Sequence, residues 1–423
     1  AKISFMASII FGTAFTHAFF TAGVTKETYA NPLYFLLILI FLHPTISKRK
    51  QAFLFTITAI TLVFAHHLTP LITIAILSSI ALARFINNTK KGLAPNKHDF
   101  ILVSILVVAT TLYFGLYAQA GFKFTLTLSD WLSAASYQIL AFALAMYLAS
   151  KPYVHAQTRT LIASLVAIAL AFLLPLLAIR ISLAGFPTLP TYCLLYVSPY
   201  FILLPFITLG YGYQRRIKGP IAPVFWLASL MGLEGYAIFS SSTLSPALWI
   251  RIPNFLYPPL AILSAVGLYQ LYETVEKPRL QRLIKPVVMI VILVIAIVNA
   301  YTLYAVVSLQ ERYMGYQWLY RTQEYEAGDW IATTTSSPTV AGDMKVAYLV
   351  RDYFGAKVDV LQGFRYLTEN GSSQPQILFI YRQMLKNGYV LGYHGIDLPE
   401  NWIEKTFQLN LIYSNGLASV YAR

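Results

Sequence analysis

Apolar runs dominate the first three quarters of the chain. Mostly hydrophobic segments, many of them near the roughly 20 residues that cross a bilayer as a helix, recur from the N-terminus to about Ser308. They then stop. The composition agrees, since 57% of the residues are hydrophobic and only 11% are charged, whereas a soluble domain carries roughly a quarter charged residues. The sequence therefore predicts a polytopic α-helical membrane protein with a different kind of domain at its end.

We predict about eleven transmembrane helices in residues 1–308 and a C-terminal α/β domain in residues 309–423. The predicted segments are 3–20, 30–43, 52–65, 71–85, 100–117, 131–149, 160–179, 192–211, 221–239, 255–271 and 286–306.

Most basic residues lie in alternate loops. Sixteen Lys and Arg residues fall on one predicted side, and only Lys26, Lys123, Arg180 and Arg251 fall on the other. Because loops rich in Lys and Arg stay in the cytoplasm, the net charge of +14 is a topology signal, and nucleic acid is not expected as a partner. Because basic and non-basic loops alternate along the chain, the last segment is predicted to run from the cytoplasmic to the outer side. The C-terminal domain is therefore predicted to be extracytoplasmic.

The stretch "FAHHLTPLI", Phe64–Ile72, separates two short apolar runs. Basic loops flank both runs, so a hairpin whose tip, His66–Pro70, faces the outer side is the better prediction than one long kinked helix. A metal site is not predicted, because adjacent side chains diverge by about 100° on a helix and no Cys or carboxylate lies nearby. Two roles remain open for His66 and His67: packing in the turn, or hydrogen bonding in an outward-facing site.

Acidic residues are scarce in the apolar part. Those before Ser308 are Glu27, Asp99, Asp130, Glu234, Glu273 and Glu276. Acids beside the cytoplasmic basic clusters, Asp99 among them, are predicted to be solvated. Glu27 and Asp130 fall in outer loops, and Glu234 lies inside the ninth segment. An ionisable group within a span costs several kcal/mol unless it is paired, so Glu234 has either a function or a buried structural partner.

Arg251 comes just before the tenth segment, in "RIPNFLYPPLAILSAVGL". The prolines at 253, 258 and 259 are expected to loosen the start of that segment. An Arg in this position either reaches the lipid headgroups or binds a phosphate through its planar guanidinium.

The C-terminal part has nearly balanced charge, with eleven of the seventeen acids and ten of the thirty-one bases. "YEAGDWIATTT" predicts a short amphipathic helix, and "TVAGDMKVAYLVRDYFGAKVDVLQ" predicts strand, helix and strand of a parallel sheet. Asn415-Gly416, between two alternating apolar runs, predicts a hairpin. This part contains no Gly-rich phosphate loop, Ser nucleophile elbow or Cys.

Several stretches together resemble the GT-C superfamily of membrane glycosyltransferases, particularly its archaeal members. "VTKETYANPLYFLLILI" looks like an outer loop leading into a returning helix, and "RIPNFLYPPLAILSAVGLYQL" like a late helix after an outward-facing Arg. "WIATTTSSPTVAGDMKVAYLVRDYFGAKV" looks like the opening of the outer domain, and "LIYSNGLASVYAR" like its closing strand pair. The similarity covers most of the chain and concerns its architecture.

This resemblance implies an enzyme of the cell membrane that transfers a sugar from a polyprenyl-phosphate donor to a glycan or protein acceptor. Catalysis would then use Glu27 or Asp130 as the base for the acceptor hydroxyl, and a divalent metal ion is left open. Substrate-binding roles are implied for Lys26, His66, His67, Arg180, Glu234 and Arg251.

One departure from the family pattern is plain, because the membrane part contains no Asp-x-Asp or Asp-Glu pair. Family members carry that acid in a long first outer loop, so we expect a further pair of spans before Ala1. Two other functions remain: a noncatalytic subunit or anchor of a cell-envelope assembly, and a polysaccharide transporter or polymerase.

Overall fold

The computed structural model divides the chain into two compact units, Ala1–Thr302 and Leu303–Arg423, each with its own buried core. The residues described are 2–14, 26–118, 127–150, 166, 167, 169, 170, 173, 177, 193–216, 221–240, 245–273, 278–307, 320–335, 339–369, 372–391 and 394–423. The predicted segment 160–179 lies largely outside them.

The first unit is a bundle of helices. They are α1 (Lys2–Gly12), α2 (Lys26–Leu42), α3 (Lys48–Ala65), α4 (Leu68–Lys90), α5 (Lys97–Leu112), α6 (Leu128–Ser150), α7 (Cys193–Arg216), α8 (Ala222–Phe239), α9 (Ser245–Glu273) and α10 (Pro278–Val307). A π-helical turn, Tyr113–Tyr117, continues α5.

Among the residues that the structure describes, five stretches are long and apolar enough to cross a membrane. They are Leu68–Lys90, Lys97–Tyr117, Leu128–Ala149, Ala222–Phe239 and Arg251–Leu271. Four shorter apolar helices accompany them in the described part of the chain. The chain is thus a largely helical protein with several helices suited to a bilayer, followed by a sheet-containing unit.

The predicted hairpin at the histidines is confirmed. Helix α3 ends at Ala65 and α4 begins at Leu68, so the turn is only His66–His67, shorter than expected. Pro70 falls in the first turn of α4, where its missing N–H breaks no helical hydrogen bond. We call the end of the bundle that carries this turn the histidine end, and the opposite end, with loop 43–47, the basic end.

Asp99, predicted to be solvated, is buried instead. Its side chain is 4% exposed, and Arg84 Nη1 lies 3.2 Å from its Oδ2. Asn96 Nδ2 donates to the other carboxylate oxygen at 2.7 Å. The two adjacent helices α4 and α5 bring these residues together, which removes the carboxylate from water without leaving it unpaired.

Helix α9 also differs from expectation. It begins at Ser245, so Arg251 lies within the helix, and it runs through Pro253, Pro258 and Pro259 without interruption. Close packing against α7 holds this helix, because a Cβ added at Gly267 would collide with the α7 backbone. Such contacts between small residues are typical of helix packing in membranes.

The second unit is built around a five-stranded sheet. Its elements are α11 (Thr322–Thr334), β1 (Thr339–Ala341), α12 (Met344–Val346), β2 (Lys357–Asp359), α13 (Val360–Thr368), β3 (Ile377–Tyr381), α14 (Met384–Asn387), β4 (Tyr389–Leu391), β5 (His394–Ile396), α15 (Trp402–Thr406), β6 (Asn410–Ser414) and β7 (Ala418–Ala422). Helix α12 continues as a π-helix to Tyr353.

The sheet has the order β2-β1-β3-β7-β6, with β1 parallel to β2 and β3 and the other pairs antiparallel. The predicted strand, helix and strand are confirmed by β1, α12 with its π-helix, and β2. The hairpin between β6 and β7 is also confirmed, and Gly416 takes the positive φ of +85° that its turn requires.

Candidate functional site

A hydrogen bond between two buried asparagines joins α2 to α9 near the histidine end. Asn254 Nδ2 donates to Asn31 Oδ1 over 3.3 Å. Both residues are almost fully buried, at 2% exposure for Asn31 and 5% for Asn254. An amide pair inside an apolar bundle fixes the register of the two helices, because slipping would bury its polar atoms unpaired.

This register places two of the predicted site residues one turn further out. Glu27 precedes Asn31 by four positions in α2, and Arg251 precedes Asn254 by three in α9. Tyr34 and Phe255 stack edge to face deeper in the bundle, 5.1 Å between centroids, so the two helices run in the same direction. Glu27 and Arg251 therefore occupy neighbouring levels, about 6 Å and 4.5 Å beyond the asparagine pair at 1.5 Å per residue.

Helix α8 brings Glu234 to the same layer. Trp226 Nε1 donates to Tyr34 OH at 2.8 Å, which ties α8 to α2. Glu234 lies eight residues beyond Trp226 and Glu27 seven beyond Tyr34, both toward the histidine end, so their depths agree to within about 2 Å. Glu27, Glu234 and Arg251 thus occupy similar levels along α2, α8 and α9.

Asp130 lies at the same end of the bundle, and its contacts are those of a helix cap. Its Oδ2 accepts from the backbone N–H of Thr127 at 2.9 Å and from Thr127 Oγ1 at 2.8 Å. Tyr236 OH donates to Oδ1 at 3.3 Å. Both carboxylate oxygens are therefore engaged at the start of α6, where an acid also complements the helix dipole.

His66 caps the first turn of α4. Its Nδ1 accepts from the Thr69 backbone N–H at 3.2 Å and lies 2.8 Å from Thr69 Oγ1. The ring of His67 stands 4.7 Å from that of His66. The hydrogen bond from Thr69 requires an unprotonated Nδ1 in His66, which gives this buried side chain a structural role in the turn.

A second row of polar groups lies deeper than the asparagine pair. Asn299 Nδ2 donates to Tyr257 OH at 3.3 Å and to Thr13 Oγ1 at 3.2 Å. At the level of the asparagine pair itself, Tyr200 OH donates to the Pro253 carbonyl at 3.1 Å. These bonds join the end of α1 to α7, α9 and α10, on the side of the charged residues that is further from the histidine end.

Three predicted residues are described only in part. Lys26 and Glu27 lie in the first turn of α2, but their side chains, like all of Arg180, fall outside the described residues. Within the described part, no three His, Cys, Asp or Glu side chains come together to hold a metal ion.

Asn31, Asn254 and Asn299 were not singled out from the sequence. Each is a lone amide within an apolar run, in "YANPL", "RIPNF" and "AIVNA". A polar side chain that a span must bury with a partner is the signal that marks them.

The second unit contains a separate cluster of buried polar groups at the end of β1. Asp343 accepts from the backbone N–H of Val346 at 3.0 Å and of Val390 at 3.1 Å, and from Tyr381 OH. Burial raises the pKa of Asp343 to about 6, against these hydrogen bonds, which favour the ionised form. Both oxygens are satisfied, so Asp343 joins β1, β3 and β4 and offers no open site.

Lys345 lies beside it, also buried. Its Nζ is 2.6 Å from Glu324 Oε1 and 4.4 Å from the centre of the Tyr381 ring. Desolvation lowers the pKa of Lys345, while the carboxylate of Glu324 opposes that shift. The pair joins α11 to α12.

No family model matches the chain, and no match was found among curated proteins. Fold and site geometry alone define the class of this protein. It is a helical protein with several helices suited to a membrane, a layer of charged and amide side chains at one end of its bundle, and an α/β unit after it.

Proposed function

We propose that the protein is a membrane glycosyltransferase of the GT-C type, which transfers a sugar from a polyprenyl phosphate to a glycan or protein acceptor. About eleven spans cross the cell membrane in this proposal. The histidine end and the second unit lie outside the cytoplasm, since the basic loops belong to the cytoplasmic side.

The observation that carries the proposal is the asparagine pair. By joining Asn31 to Asn254, it sets Glu27 and Arg251 one turn out on two neighbouring helices. Sugar transfer from a lipid phosphate needs a base for the incoming hydroxyl and a cation for the departing phosphate. In this proposal Glu27 and Arg251 lie near the lipid headgroups and supply the acid and the guanidinium of that pair.

In the proposed reaction the acceptor oxygen attacks the anomeric carbon of the sugar. The bond from this carbon to the phosphate oxygen breaks, and the lipid phosphate leaves with the electron pair. Glu27 takes the proton of the acceptor hydroxyl, and Arg251 faces the charge that develops on the phosphate. Glu27 is preferred to Asp130 because the cap and Tyr236 already occupy both oxygens of Asp130.

Transfer of a labelled sugar from polyprenyl-phosphate mannose or glucose, measured in membranes that contain the protein, tests this function. Glu27→Gln keeps the size of the side chain and removes the base, so the turnover number should fall by about 10²–10⁴-fold. Arg251→Gln should raise the KM for the donor and lower turnover, because phosphate loses its bidentate partner.

Arg49→Gln is the matched control, since it removes an exposed Arg at the basic end. It should transfer sugar as the wild type does. Wild-type membranes without any transfer, or Glu27→Gln and Arg251→Gln variants that fold and retain full transfer, would contradict the proposal and favour a noncatalytic subunit.

A further inference from the structure

Within the described part of the bundle, two buried polar atoms near the histidine end have no hydrogen-bond partner. One is Nδ2 of Asn31, whose Oδ1 is held by Asn254, and the other is Oε2 of Glu234. A buried polar atom without a hydrogen bond costs about 1–3 kcal/mol. Asn31 Nδ2 and Glu234 Oε2 both lie near the level of Glu27 and Arg251, and this grouping indicates that a ligand forms the missing hydrogen bonds.

The faces of the helices aim both groups at the interior. Asn31 shares its face of α2 with Tyr34, which meets Trp226. Glu234 follows Trp226 and Leu230 at intervals of four residues in α8, and both of those side chains are buried. Glu234 and Asn31 therefore face the region between α2, α8 and α9 from two sides.

The chemistry of the two atoms defines the missing group. The amide Nδ2 of Asn31 only donates, and a carboxylate oxygen of Glu234 accepts. A hydroxyl satisfies both kinds of partner, since it accepts at its oxygen and donates its proton. A sugar carries several hydroxyls on one rigid ring.

We propose that Asn31 and Glu234 bind hydroxyl groups of the sugar of the lipid-linked donor, an inference that rests on the proposed function. Relative to the contact between Tyr34 and Trp226, Asn31 lies about 4.5 Å and Glu234 about 12 Å toward the histidine end. The levels differ by about 7.5 Å, which a single glycosyl unit covers with a hydrogen bond of about 2.8 Å on either side. Glu234 is a binding residue in this scheme, distinct from the base.

Labelling with dicyclohexylcarbodiimide tests the assignment directly. A protonated carboxyl in apolar surroundings adds across a C=N bond of this carbodiimide to give an O-acylisourea. The O-acylisourea rearranges to a stable N-acylurea, which mass spectrometry locates in a peptide. The full chain is labelled in lipid nanodiscs alone, with polyprenyl-phosphate mannose or glucose, and with the same polyprenyl phosphate lacking sugar. Labelling of Glu234 should fall at least fivefold with a sugar-bearing lipid and little with the sugar-free lipid.

Asp99 serves as an internal control, because Arg84 and Asn96 already occupy its oxygens and its labelling should not respond to the lipids. Failure to label Glu234, or equal protection by lipids with and without sugar, overturns the inference. Transfer activity measured on the same sample separates the two proposals. Sugar transfer without sugar-specific protection of Glu234 would support the glycosyltransferase function and contradict the sugar contact. Sugar-specific protection without transfer would support the contact and contradict the transfer function.

Kinetics provide a second readout. Asn31→Leu and Glu234→Gln should each raise the donor KM about tenfold, the effect of one lost hydrogen bond. The change in kcat should be smaller in Glu234→Gln, whereas Asn31→Leu should also lower kcat, because it removes the bond to Asn254 that sets the positions of Glu27 and Arg251. Ser264→Ala is the matched control, since Ser264 Oγ is also buried without a partner but lies ten residues deeper in α9 than Asn254. A rise in KM for Ser264→Ala as large as for Asn31→Leu would show a general effect of bundle packing and overturn the assignment.

Discussion

Two clusters of buried polar groups, one in each unit, are hydrogen-bonded in opposite ways. At the end of β1, Asp343 has three donors and Lys345 has Glu324 at 2.6 Å, so each charge is matched. In the bundle, Glu234 and Asn31 each keep a buried atom without a partner. A satisfied cluster stabilises the fold, whereas an unsatisfied one costs stability and indicates a binding function. Stability measurements on the two units can therefore tell the two kinds of cluster apart.

The largest effect is expected at Lys345. Lys345→Met leaves Glu324 buried without its cation, so the free energy of unfolding of the second unit should fall by about 3–5 kcal/mol. Hydrogen exchange of peptides from this unit, followed in the full chain, measures the loss. The double variant Lys345→Met with Glu324→Gln should recover much of it, and a second unit unaffected by Lys345→Met would contradict a stabilising role.

Asp343 should show the next largest effect. In Asp343→Asn, Oδ1 can still accept from Val346, but the amide Nδ2 then faces the N–H of Val390, so stability should fall by about 1–3 kcal/mol. Because burial raises the pKa of Asp343 from 3.8 to about 6, the folded unit binds this proton more tightly than the unfolded chain does. The stabilisation from protonation is present below pH 3.8 and is lost as the pH rises to 6.

The difference in stability between the wild type and Asp343→Asn measures this pH dependence, since it cancels the other carboxyls. As the pH rises from 3.8 to 6, the free energy of unfolding of the wild type should decrease relative to that of the variant. A difference that stays constant over this range would show that Asp343 does not carry the shift.

The bundle should respond in the opposite direction. Glu234→Leu removes a buried carboxyl that has no partner at Oε2, so the bundle should become more stable by about 1–2 kcal/mol while donor binding weakens. Thermal unfolding in detergent measures the gain, and Arg49→Gln, which changes an exposed side chain at the basic end, is the control. A loss of stability comparable to that of Lys345→Met would show that Glu234 stabilises the fold, as Lys345 does, and would contradict a binding role.

The smallest effect concerns the cap at α6. Thr127→Ala removes the hydroxyl that donates to Asp130 and should cost about 1 kcal/mol in thermal stability, without a change in sugar transfer. If transfer fell as far as in Glu27→Gln, Asp130 would have to be considered the base again.

Local signals in the sequence were sufficient for part of this structure. The hairpin at the histidines was predicted, with a longer tip than observed. The strand, helix and strand from Thr339 and the hairpin at Asn415-Gly416 were predicted too, because each depends on residues close together in the chain. Asp99 was misjudged, since its burial depends on Arg84 in a neighbouring helix. The asparagine pair joins residues 223 positions apart, and no local pattern encodes such a contact.

Density for the protein in nanodiscs with bound polyprenyl-phosphate sugar tests the central claim most directly. The account predicts that the phosphate lies within hydrogen-bond distance of Arg251, and the sugar between Asn31 and Glu234, with Glu27 beside the anomeric carbon. A phosphate bound away from Arg251, or a layer closed by side chains with no ligand when donor is in excess, would contradict it.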